Sequence, residues 1–170
     1  CKKIADTFDE EYMTQYPNVD GVVSITHSLG CGGNSSGMGW DLLQATMDGY
    51  SRHVNFGGLV VIGLGCEVNQ VSGMAQSMNW ADSDIFKMMT IQETGGTRKT
   101  IQEGIETIKH MIPILNKEKR VECPASELIL GLECGGSDAY SGMTANPALG
   151  AAVDLLVQNG GTATLAETPE

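Results

Sequence analysis

Apolar positions along the chain follow a helical rhythm in some segments and form short unbroken runs in others. Ile4, Phe8 and Tyr12 recur at a spacing of four, which predicts an amphipathic helix over residues 2–15, ended by Pro17 and Asn18. Residues 22–26 then predict a buried strand, and Trp40, Leu43, Met47 and Tyr50 mark one face of the next helix. Residues 59–64 are wholly apolar but for a glycine, as in strands buried on both faces of a parallel sheet. Val71, Met74, Ala75 and Met78 predict a helix, and residues 87–91 a strand. A long helix runs from a Thr97 cap through Leu115, with Ile101, Ile105, Ile108, Ile112 and Leu115 inward. Residues 116–126 are charged, contain Pro124 and predict a loop. A fourth strand follows over 128–132. A last helix opens at Asn146-Pro147, carries Leu149, Val153 and Leu156, and stops at Gly160-Gly161. Residues 162–166 make the fifth strand.

Strands alternating with helices predict an α/β fold: an open, mainly parallel sheet of about five strands with helices on both faces, a Rossmann-like three-layer arrangement. All 170 residues are read as one such domain, cut from the centre of a longer polypeptide, because the first residue is not Met and both ends run straight into predicted elements.

Composition narrows the picture. With 41% hydrophobic and 18% charged residues the chain is globular. A formal charge of −11 argues against nucleic acid and anionic membrane surfaces. No apolar run has the ~20 residues of a membrane helix, and no secretory leader is visible, so the expected location is the cytoplasm. Five cysteines with no leader favour reduced thiols over a disulfide framework. Nine Met against three Phe favour a soft, irregular core.

The candidate chemistry lies in turns that follow strands. Cys31, Cys66 and Cys134 each sit in a glycine-rich turn after an apolar run. Loops at the carboxyl ends of parallel strands converge on one edge, where ligands bind. Three soft ligands gathered there would suit a transition metal, iron above all. His27 precedes Cys31 by four residues, and is either a fourth ligand or the base, or a buried His bonded to a carbonyl. Glu67, Asn69 and Gln70 follow Cys66, where they are site groups or helix caps. Around Cys134, backbone amides of the glycine-rich turn would form an anion nest, with Ser137 and Ser141 adding hydroxyl donors to a carboxylate; otherwise the segment, Asp138 included, is an ordinary long polar loop. The turn at 92–99 opens a helix, and its Arg98 and Lys99 oppose the helix dipole, which favours an anion contact over a solvated first turn. There is no phosphate-binding P-loop, no nucleophile elbow and no Cys-x-x-Cys pair. Cys1 and Cys123 lie in no motif.

The segments THSLGCG (26–32), VVIGLGCEVNQ (60–70), IQETGGTRKTI (91–101) and GLECGGSDAYSGMTANPALGAAVDLLVQNGGT (131–162) resemble the altronate and galactarate dehydratase family over residues 18–170. The run from Gln92 to Ile101 looks nearer to the galactarate branch. The resemblance implies an iron-dependent hydro-lyase that removes water from a sugar acid to give a 2-keto-3-deoxy acid, with this chain as the central part of a longer protein. His27 and Cys31 match the family's His-x-x-x-Cys turn, although Ser28 and Leu29 stand where the galactarate branch often has glycines. Cys66 and Glu67 match Gly-Cys-Glu, and Cys134, Ser137 and Asp138 match Cys-Gly-Gly-Ser-Asp.

The expected roles are therefore Cys31, Cys66 and Cys134 facing Fe(2+), with an iron–sulfur cluster as the alternative. His27, Glu67 and Asp138 are the acid–base candidates, and Arg98, Lys99, Ser137 and Ser141 would hold the substrate. The expected partners are a small sugar acid and the remaining parts of the same polypeptide, with homo-oligomers allowed and neither nucleic acid nor membrane. The rival reading is a non-catalytic α/β binding module with a structural Cys/His metal site.

Overall fold

The computed structural model describes residues 1–27, 31–32, 34–133, 135–136 and 138–165. The chain divides into two compact units, Cys1–Lys119 and Arg120–Glu170, and each has its own pair of parallel strands.

In the first unit the opening helical pattern is broken in two. Helix α1 (Lys2–Ala5) stops, and Asp9 caps α2 (Glu10–Met13) by accepting a hydrogen bond from the Tyr12 N–H at 2.8 Å. Asp9 gives the backbone a side-chain partner and restarts the helix out of phase. Ile4, Phe8 and Met13 still meet Ile112 in one core cluster, with Ile62, Ile101, Ile105 and Ile108 packed around it. That places the predicted face of α6 (Thr97–Leu115) inward. Gly104 of α6 is where Ile4 crosses, and a Cβ there would strike the Ile4 side chain. Gly96, not Thr97, is the cap position of α6, and no side chain caps it.

Strands β1 (Leu59–Gly63) and β2 (Phe86–Thr90) pair in parallel, Leu59 opposite Phe86 and Gly63 opposite Thr90. Between them runs α4 (Val71–Ser77), whose Val71 and Met74, with Met78 just beyond, form a second core cluster. Met47 from α3 (Met38–Ser51), Val61, Trp80 and Met88 pack against it. Thr90 caps the short α5 (Ile91–Thr94) by accepting from the Glu93 N–H, and its hydroxyl donates to the Glu93 carboxylate at 2.7 Å.

In the second unit β3 (Ile129–Leu132) pairs in parallel with β4 (Thr162–Leu165). Helices α7 (Ala139–Met143) and α8 (Ala145–Gln158) lie between them in sequence. At the end of α8 the Gly160 N–H bonds Val157 O and the Gly161 N–H bonds Leu156 O, with Gly160 at φ 88°. This double bond pattern is a Schellman stop, where a left-handed glycine satisfies the last carbonyls.

The open sheet of about five strands is not what forms. The described strands make two separate two-stranded parallel sheets. Four of the five predicted strands are present, but residues 22–26 have no strand assignment. Val22 packs on the first core cluster, while Val23 and Ile25 stand 67% and 53% exposed. A β-branched run fits a pleated, half-buried surface, but a strand exists only where a neighbour takes its N–H and C=O groups. The rest of the expected sheet is likewise not extended: among the described residues β1 pairs only with β2, and β3 only with β4.

Candidate functional site

The carboxyl ends of β1 and β2 lie side by side, so the turns that leave them share one edge. The turn after β1 carries Gly65, Cys66, Glu67, Asn69 and Gln70 into α4. Glu67 is only 8% exposed, and its Oε2 accepts the Gly65 N–H at 2.6 Å. Its carboxylate also fills the space beside Gly63, where a Cβ would collide with it and with Val71. The Gln70 amide donates to Glu67 O at 2.6 Å. Neither Asn69 nor Gln70 caps α4: Gln70 makes no side-chain cap bond, and Asn69 Oδ1 accepts from Gln44 Nε2 of α3 at 2.7 Å. These contacts fix the loop that presents Cys66.

Cys31 reaches the same place. Its Sγ lies 3.4 Å from Cys66 Sγ, although the residues are 35 apart in sequence, and both residues are exposed. Gln92, the second residue of α5, completes the group. Its N–H donates to Leu64 O at 3.2 Å, its side chain packs on Gly65, and its amide hydrogen-bonds Cys66. Cys31 holds the Cys66 thiol above its usual range, by hydrogen bond first and by charge second. Desolvation and Glu67 add to the rise, and the Gln92 hydrogen bond opposes it.

The other expected residues fall as follows. His27 is exposed and hydrogen-bonds none of the described residues. Arg98 and Lys99 are exposed in the first turn of α6, and the Lys99 side chain lies along Gly95. In the second unit Asp138 caps α7, accepting the Ser141 N–H at 2.7 Å, while the Ser141 hydroxyl donates to Asp138 O at 2.7 Å. Cys134 and Ser137 lie outside the described residues. Sequence reading passed over Gln92 as a site residue. An amide has no distinctive signature, and only its position just after a strand on the shared edge pointed to it.

Two thiolates on one metal, each with a bond of ~2.3 Å and a tetrahedral angle, would lie about 3.8 Å apart. The Cys31–Cys66 separation of 3.4 Å is close to that, so the pair fits a soft metal with little movement. Among the described residues no set of three His, Cys, Asp or Glu side chains is gathered for a metal.

The family model described as D-galactarate dehydratase/Altronate hydrolase, second domain, matches residues 1–116. The chain belongs to this family. A companion model of the dehydratases, D-galactarate/Altronate dehydratase, C-terminal, matches residues 125–170. The gap between the two dehydratase matches contains the boundary between the two compact units. Altronate dehydratase of Escherichia coli strain K12 is 39% identical over 153 residues, which cover 89% of this chain and 30% of the relative. Altronate dehydratase of Bacillus subtilis strain 168 is 36% identical over 154 residues, 89% of this chain and 29% of the relative. Galactarate dehydratase (L-threo-forming) of E. coli K12 is 38% identical over 132 residues, 74% of this chain and 25% of the relative. The chain thus spans less than a third of the length of these dehydratases, and their identities do not separate the two substrate types.

Proposed function

We propose that this chain serves a hydro-lyase that removes water from a sugar acid of the altronate or galactarate type, giving a 2-keto-3-deoxy acid. One observation supports this above the rest: two exposed thiols from distant turns meet on the carboxyl edge of β1–β2, in a chain related to sugar-acid dehydratases.

Cys31 and Cys66 would hold a ferrous ion. When bound, the ion supplies Lewis acidity to the substrate's carboxylate and hydroxyl, which eases loss of the α-proton and of hydroxide. The chain's own groups do the rest. His27, exposed on the segment leading to Cys31, takes or gives a proton at its imidazole. Glu67 is a positioning residue, since its carboxylate is engaged by the Gly65 N–H and sets the turn behind Cys66. Gln92 orients the Cys66 sulfur through its amide. Arg98 and Lys99, with the free N–H groups that open α6, offer positive charge to a carboxylate that the chain's charge of −11 would otherwise repel.

The test is Cys66→Ser in the full-length protein. Bound iron and turnover of altronate or galactarate are expected to fall together. A variant that keeps both at the parent level would remove Cys66 from the site.

A further inference from the structure

Cys31 and Cys66 are in sulfur-to-sulfur contact on an exposed edge; among the described residues, Cys1 and Cys123 make no such contact. A disulfide bond is about 2.0 Å long, so closing the pair requires an approach of roughly 1.4 Å. The Cys66 side of the pair is held in place. Gly65 N–H is bound by Glu67, and Gln70 ties the backbone of the same turn. Beside Cys31, Gly32 has no heavy atom within 4 Å of the position a Cβ would take. Both sulfurs are open to a reagent from solvent.

We propose that Cys31 and Cys66 form a reversible disulfide by exchange with a low-molecular-weight disulfide. One thiolate of the pair attacks a sulfur of the external disulfide, forming a mixed disulfide and expelling the first small thiolate. The second protein thiolate then attacks the sulfur of its neighbour and expels the second small thiolate. Two protons pass from the protein thiols to the two released thiols. The protein loses two electrons, and the external disulfide gains them. The bond stands on the geometry of the thiols alone, and only its consequence for iron rests on the proposed function. Sulfurs joined to each other are no longer thiolates, so disulfide and metal exclude one another at this edge.

The experiment uses the full-length protein without metal, incubated anaerobically with oxidised glutathione, then alkylated and digested with trypsin. Arg52 lies between the two cysteines, so cleavage yields peptide 4–52 with Cys31 as its one thiol and peptide 53–87 with Cys66. The expected product is these two peptides joined, with the loss of two hydrogens and of two alkylatable thiols, all reversed by dithiothreitol. In Cys31→Ser the joined product should vanish and Cys66 should retain glutathione. Glutathione left on both cysteines of the parent protein, with no joined peptides, would overturn the proposal. A parallel sample loaded with ferrous iron should close severalfold more slowly. Equal rates with and without iron would leave the disulfide standing and remove iron from these two sulfurs.

Discussion

Gln92 reaches across from α5 to Cys66, and its hydrogen bond works against the neighbours that raise that thiol. A raised pKa means less thiolate at neutral pH and slower alkylation. The alkylation rate of Cys66 against pH should therefore inflect above the ordinary cysteine range. In Gln92→Ala the opposing contact is gone, so the inflection should move further up and the rate near neutrality should fall. Iodoacetamide labelling of peptide 53–87, followed by mass spectrometry, reads both. At this scale the site was partly legible. Cys31 and Cys66 could be paired because thiols in glycine-rich turns are chemically conspicuous. Glu67 was singled out as an acid–base candidate, but its hydrogen bond to the Gly65 N–H and the place of Gln92 beside the same turn could not be read, because a carboxylate bonded to its own loop and an amide next to it show no pattern until the chain folds.

The elements that could be read were those whose signal is local. The apolar runs of β1 and β3 carry their pattern in the residues themselves, and so does the inward face of α6. The glycine stop after α8 does likewise. At φ 88° Gly160 occupies a region that costs an L-residue roughly 1–2 kcal/mol, and a Cβ there would press on Ser126 at 3.3 Å. Gly160→Ala should thus lower stability by about that amount, seen as a drop in the denaturant midpoint of the second unit with little change at Cys66. Elements that depend on a distant partner could not be read. Residues 22–26 have the composition of a strand but no described strand beside them. The helix expected over residues 2–15 fails for a local reason instead, divided at Asp9 by a cap that competes with helix continuation.

Across the molecule, the extent of the sheet was the feature least visible in sequence, because strand order is a property of pairing and not of any one run. The two units meet in the chain at an exposed stretch with three basic residues, Lys117, Lys119 and Arg120. Asn116 anchors its start, accepting from the Asn18 N–H at 3.0 Å and from the Asn18 amide at 2.8 Å. Brief trypsin treatment should cut after these residues before it cuts at Lys109 or Lys87, and an N-terminal sequence beginning at 118, 120 or 121 would show it. The second core cluster of the first unit carries a different consequence. Met74 and Met78 are 4% and 6% exposed, and they pack with Met47 and Met88. A thioether shut away in this manner meets peroxide only while the unit is open, and a sulfoxide formed there costs stability when the unit packs again. The methionines thus keep a chemical record of how often this half of the protein breathes, written in oxygen atoms that stay after the chain has closed.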